Sequence, residues 1–115
     1  MMTTIYGIKN CDTMKKAFKW LDEHGVEYEF HDYKKAALDE KQLKTWVKQL
    51  GWEALVNRRG LTWRKLSEAE REDVNAAKAI ALMLAKPSLV KRPVLDTGKT
   101  LQVGFKPEEY EALFK

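Results

Sequence analysis

Thr4-Ile5-Tyr6-Gly7-Ile8-Lys9-Asn10-Cys11-Asp12-Thr13-Met14-Lys15-Lys16 joins an apolar run to a polar turn and then to helical spacing. Ile5 to Ile8 reads as a buried strand, entered from a short, frayed Met1-Met2-Thr3 and left through a polar turn. Met14, Ala17, Phe18 and Leu21 then recur on one face at helical spacing, while Lys15, Lys16, Lys19, Asp22 and Glu23 fall elsewhere. Asp12 or Asn10 is the expected N-cap, and Gly25 the left-handed residue that ends the helix. The only cysteine of the chain stands at the strand–helix junction. The first helical turn offers free N–H groups and the positive end of the helix dipole. Both favour a thiolate over a thiol, and the thiolate is the nucleophile.

Downstream, Val26, Tyr28 and Phe30 alternate with Glu27, Glu29 and His31, a period of two that predicts a second strand with one buried face. Strand, helix and strand in so few residues imply a right-handed crossover and parallel strands. The middle of the chain is predicted to be helical. Asp39 is an N-cap, with Gln42 at the capping-box position and Leu38 and Leu43 placed as a hydrophobic staple. Leu43, Trp46, Val47 and Leu50 form an inner face that Gly51 stops. A helical turn over Trp52 to Val56 leads to the polar connector Asn57-Arg58-Arg59-Gly60. Ser67-Glu68-Ala69-Glu70 is a second capping box. Asn75 caps a helix from Ala76 to Lys86, with Ile80, Met83 and Leu84 inward and Pro87 at its end. After the connector Ser88 to Arg92, Asp96-Thr97-Gly98-Lys99 turns a hairpin between Val94-Leu95 and Thr100 to Val103. Pro107 opens a last helix whose inner face carries Tyr110, Leu113 and Phe114. The order is βαβ, a helical insertion over residues 37–87, then ββα. This is an α/β protein: one domain over residues 1–115 with a four-stranded mixed sheet flanked by helices.

Composition narrows the function classes. The chain has 115 residues, 44% hydrophobic and 33% charged, which suits one globular domain. No apolar run has the length of a membrane span, and no signal peptide opens the chain. One cysteine forms no internal disulfide, as expected in a reducing cytoplasm. The balance of 21 basic to 17 acidic residues is a modest +4. It comes without a nucleic-acid-binding module and fits an acidic small molecule better. Two scattered histidines and one cysteine give no metal-ligand spacing. Neither a phosphate-binding P-loop nor a dinucleotide fingerprint occurs. A monomer is the default expectation.

The candidate chemistry centres on Cys11. An inert buried cysteine is the plain alternative, but Lys9, Asn10, Asp12 and Thr13 around it argue for a turn open to solvent. Met14 occupies the third position after Cys11, so there is no C-x-x-C dithiol. Any disulfide at Cys11 forms with another molecule and needs an external reductant. Arg58, Arg59, Arg64 and Arg92 are either surface charges or anion ligands, since a guanidinium grips a carboxylate or oxyanion with two parallel hydrogen bonds. Arg92 precedes Pro93 and Arg59 precedes Gly60, so both backbones are constrained. Pro93 itself is an edge proline or a cis proline beside the site. Trp20, Trp46, Trp52 and Trp63 read as core or semi-core aromatics.

Three segments together resemble the arsenate-reductase-like ArsC/Spx family of the thioredoxin superfamily. They are Ile5 to Thr13, Asn57-Arg58-Arg59-Gly60-Leu61-Thr62-Trp63-Arg64-Lys65-Leu66, and Pro87-Ser88-Leu89-Val90-Lys91-Arg92-Pro93-Val94. The closing Val103-Gly104-Phe105-Lys106 extends the resemblance over nearly the whole chain, most closely to the small YffB-type subgroup. The resemblance implies a thioredoxin-like fold, a cis Pro93 beside Cys11, and Cys11 as nucleophile. It also implies that Arg92 binds substrate and stabilises the thiolate, and that Arg59, or Arg58 if the register shifts, is a second helper. Asn10, Pro93 and Lys106 complete the implied substrate or glutathione site. Gly7 stands where arsenate reductases of this type carry a histidine, and Lys106 where they carry a third arginine. Met14 removes the redox switch usual in Spx regulators, which bind RNA polymerase. The expected activity is therefore glutathione-dependent monothiol reduction in the cytoplasm. Glutathione is then the co-substrate, glutaredoxin a possible partner, and no cofactor is tightly bound. Arsenate reduction and a non-enzymatic Spx-like role in transcription are the alternatives.

Overall fold

The structure is a computed structural model that describes residues 3–9, 11–33, 35 and 38–114. Its backbone divides into two compact units, Met1–Ala36 with Arg92–Lys115, and Ala37–Lys91.

The first unit holds the sheet. β1 (Thr3–Gly7), α1 (Asp12–Glu23) and β2 (Tyr28–Asp32) form the βαβ segment, and β3 (Val94–Asp96), β4 (Leu101–Val103) and α7 (Pro107–Leu113) follow the second unit. The strand order is β2-β1-β3-β4, with β1 parallel to β2 and antiparallel to β3, and β3 antiparallel to β4. This is the four-stranded mixed sheet of a thioredoxin-like fold. Its core is Ile5, Met14, Ala17, Leu21, Leu95 and Tyr110, all fully shielded from solvent. Tyr110 is wedged edge-on between Trp20 and Phe105, and its buried hydroxyl has no hydrogen-bond partner among the described residues.

The fold departs from the local sequence pattern at three places. The first strand begins at Thr3, which is buried and paired with Tyr28, and ends at Gly7, so Ile8 lies beyond it. Cys11 itself, not Asp12, is the N-cap residue of α1, with extended backbone angles; Asn10, the other expected cap, lies outside the described residues. Val26 belongs to the helix end and not to β2. Its N–H donates to Leu21 O at 3.0 Å and the Gly25 N–H to Asp22 O at 3.2 Å, with Gly25 at φ 65°. That pair of bonds is a Schellman motif, which uses a left-handed glycine to satisfy the last carbonyls.

The second unit is helical: α2 (Glu40–Leu50), α3 (Trp52–Leu55), α4 (Leu61–Arg64), α5 (Glu68–Arg71), α6 (Ala76–Ala85) and a 3-10 turn at Pro87–Leu89. Its elements stop where local chemistry tells them to. Asp39 accepts from the Lys41 N–H at 3.2 Å, and Gly51 ends α2 at φ 86°. Ser67 and Glu70 close a reciprocal capping box, at 3.2 and 2.9 Å. Asn75 accepts from the Lys78 N–H at 2.9 Å. The Lys78 ammonium in turn donates to the carbonyls of Ala69 and Glu72, which ties the end of α5 to the start of α6. Leu43, Trp46, Leu55, Met83 and Leu89 are among its buried side chains. α4 is a helical turn that the sequence pattern does not announce.

Candidate functional site

The sheet register brings distant pieces of chain to one edge. Gly7 pairs with Asp32, Tyr6 with Val94, and Val94 with Val103. Because β1 and β2 are parallel, both end at the same edge; β3 enters there and β4 leaves there. The segments that follow β1 and β2, precede β3 and follow β4 therefore converge: Cys11, Tyr33, Arg92-Pro93 and Gly104 to Lys106. The carboxyl ends of parallel strands are the usual place for a site in an open α/β sheet. The Arg92–Pro93 peptide bond is cis, and the Gly104 N–H donates to Pro93 O at 2.9 Å.

Cys11 is half-buried. Burial alone pushes its thiol up. The amides of Met14 and Thr13, directed at the sulfur from the first turn of α1, pull it down, and so does the Arg92 guanidinium by hydrogen bonding and by charge. The net result is a thiol held below its ordinary range. The contacts from Met14 and Thr13 are too loose to count as a side-chain cap by strict geometry. They still aim two N–H dipoles at the sulfur, which is what a thiolate requires.

Tyr33 is the residue that the sequence reading missed. It is 3% exposed, and its N–H donates to Gly7 O at 3.1 Å. Burial pushes its hydroxyl well above the ordinary phenol range, against the opposing charge and hydrogen bond of Arg92. The negative charges of Cys11 and Asp32 raise it further. Tyr33 thus stays a neutral phenol that shares the Arg92 guanidinium with Cys11. The available signal was an aromatic residue on the otherwise polar parity of Glu27, Glu29 and His31.

Gly7 and Met14 are coupled. A Cβ added at Gly7 would lie 2.3 Å from Met14 Sδ and 2.5 Å from Met14 Cε. Met14 is fully buried and its thioether lies where a Cβ at position 7 would go, so a side chain there needs Met14 to repack. The departures at Gly7 and Met14, two of the three from the family pattern, are thus one packing arrangement.

Lys106 is exposed at the same sheet edge, where it is the N-cap residue of α7. Asn10 lies outside the described residues. Arg58 and Arg59 belong to the second unit, on the exposed turn after α3. The Arg58 guanidinium lies 5.6 Å from the centre of the Trp52 ring. The Arg59 N–H donates to Asn57 Oδ1 at 3.2 Å. No group of metal-ligating side chains occurs among the described residues, and no helix there is long and apolar enough to cross a membrane.

A thiol at the start of the helix after β1, with a cis proline at the start of β3 on the same sheet edge, defines a thioredoxin-like protein. More narrowly, the chain belongs to the ArsC family, whose sequence profile matches residues 6–113. A solved structure of a YffB protein is similar at a TM-score of 0.94 and 55% identity, covering 96% of this chain and 97% of that one. An arsenate reductase (ArsC) related protein from Brucella melitensis is 60% identical with a TM-score of 0.79, covering 100% of this chain and 96% of that one. The global transcriptional regulator Spx of Streptococcus pyogenes is 27% identical over 96% of this chain and 84% of its own.

Proposed function

We propose that the chain is a glutathione-dependent monothiol reductase of the cytoplasm, with Cys11 as its nucleophile. The observation that carries this reading is the lowered Cys11 thiol, held by two backbone amides and Arg92. In the first step the Cys11 thiolate attacks the glutathione sulfur of a mixed disulfide RS–SG. A Cys11–SG disulfide forms and RS⁻ leaves, to be protonated to RSH. In the second step the thiolate of a further glutathione attacks that disulfide. Oxidised glutathione leaves, and Cys11 departs as the thiolate it started as. One disulfide is reduced, two glutathione sulfurs become oxidised glutathione, and no second protein cysteine is needed. Glutathione carries carboxylates, and Arg92, Arg59 and Lys106 are the cations assigned to them, with Asn10 and Pro93 lining the site. Arg59 is preferred to Arg58, because the Arg58 guanidinium is already over Trp52. Glutaredoxin is the protein partner that could replace the second glutathione.

Arsenate is the second substrate to weigh, because a 60% identical structure is of an arsenate reductase related protein. A histidine at position 7 requires the Met14 thioether to move aside, and Lys106 lacks the bidentate fork of arginine. A non-enzymatic role in transcription through RNA polymerase is supported only by the similarity to Spx.

The deciding experiment supplies purified protein with a glutathione mixed disulfide or with arsenate, plus glutathione, with and without glutaredoxin. The expected result is Cys11-dependent formation of oxidised glutathione with the disulfide only. No Cys11-dependent turnover of the disulfide would remove the reading. Turnover of arsenate alone would install the second.

A further inference from the structure

One surface of the sheet unit is not used by the thiol chemistry. Phe18 of α1 stacks on Tyr28 of β2 at 5.7 Å and meets Phe30 edge-on at 5.0 Å. All three rings are only half-buried. A shared aromatic surface left open to water marks a binding site more often than scattered exposed residues do. Here the rings floor a cleft of about 620 Å³, whose other lining residues are Lys9, Lys15, Lys35 and Asp32. That volume is in the range of small-molecule sites. Three ammonium groups against one carboxylate make its mouth positive.

The positive field is local. Tyr28 and Phe30 also line a second cleft together with Asp22 and Glu27, and the Asp22 carboxylate helps to raise the Tyr28 hydroxyl, after burial. The face is thus basic at the end where Lys9 and Lys15 flank Cys11 in sequence, and acidic at the other.

We infer that the lysine-rimmed cleft binds a small carboxylate with a flat aromatic body. The ring lies against Phe18, Tyr28 and Phe30, and the carboxylate lies among the three lysines. Glutathione has no ring, so the proposed co-substrate does not account for this floor. The inference does not depend on the reductase reading.

The test is an amide NMR titration of the full chain with 2-naphthoate, and in parallel with the neutral 2-naphthamide. Saturable shifts are expected at Lys15, Phe18, Tyr28 and Phe30, with naphthamide weaker by about tenfold. Lys15→Glu combined with Lys35→Glu changes two exposed positions and is expected to weaken naphthoate by about tenfold or more. Cys11→Ser is expected to bind naphthoate like the wild type, which separates this result from any failure of the thiol chemistry. Shifts scattered over the surface, equal binding of the neutral compound, or no effect of the double charge reversal would overturn the inference. So would a glutamate-rich peptide that saturates these amides while naphthoate leaves them unmoved; that outcome would assign the face to an acidic protein.

Discussion

The two units of this protein are built by different rules. In the helical unit several elements are bounded by residues next to them: Ser67 and Glu70 cap one another, Asn75 caps α6, and Gly51 ends α2. In the sheet unit the residues that matter to one another are far apart in sequence. Cys11, Tyr33 and Arg92 meet because β1 is paired on one side with β2 and on the other with β3. A local cap is lost alone, whereas a sheet-edge site changes as a set. A lost cap therefore registers in stability alone, whereas a change at the sheet-edge site also registers in the thiol.

The sharpest break is at the thiol. Cys11→Ser is expected to abolish glutathione-linked turnover. Arg92→Ala is expected to cut it by about 10²-fold, the scale of removing one preorganised charge-stabilising donor. The rate of Cys11 alkylation against pH supplies the check. Its midpoint in the wild type lies below that of an ordinary thiol and moves upward in Arg92→Ala; an unmoved midpoint would disconnect the two residues. The sign for stability follows from the same shift. A thiol lowered in the folded state adds stability that is complete above the unfolded thiol's pKa and is lost as pH falls through the folded one. Cys11→Ser accordingly costs more against the wild type at alkaline than at acidic pH in denaturant unfolding.

Next in size is the Gly7–Met14 contact. Met14→Ala is expected to cost about 2–5 kcal/mol as a core truncation. Gly7→His is expected to cost about 1–3 kcal/mol or more by overpacking. The double variant is expected to be less destabilised than the sum by at least about 1 kcal/mol. Strict additivity in urea unfolding would show that the two positions do not share one volume.

Tyr33→Phe comes third. It removes a buried hydroxyl hydrogen-bonded with a charged group, worth about 1.5–3 kcal/mol. It is also expected to shift the alkylation midpoint of Cys11 through Arg92, and an unshifted midpoint would reduce Tyr33 to a packing residue. In the helical unit, Ser67→Ala is expected to cost about 1 kcal/mol while leaving the alkylation profile alone. A change in that profile would blur the contrast between the units. The smallest effect is assigned to Tyr110→Phe. Its hydroxyl is buried without a partner among the described residues, so deleting it is expected to leave thermal stability at or slightly above the wild-type value. A clear loss would reveal a partner for that hydroxyl.

Much of this was legible in the chain itself. A glycine after a helix, a serine three residues before a glutamate, and an asparagine before Ala76 act over one turn, so neighbouring residues suffice to place them. The same holds for Cys11 at the head of its helix, because the free N–H groups belong to the first turn wherever that helix is put. The α/β order and the parallel first pair also follow from local periodicity and the handedness of short crossovers. Tyr33, the filling of Gly7 by Met14 and the aromatic floor under Lys9, Lys15 and Lys35 do not. Each depends on which strand lies beside which, and in what register. Register is a property of pairing across the sheet, where one residue of slip turns every side chain to the other face. One thiol at the head of a helix can be read from neighbouring residues alone. That the Arg92 guanidinium is shared between that thiol and the buried Tyr33 hydroxyl cannot, because sheet pairing is what closes the long loop between them.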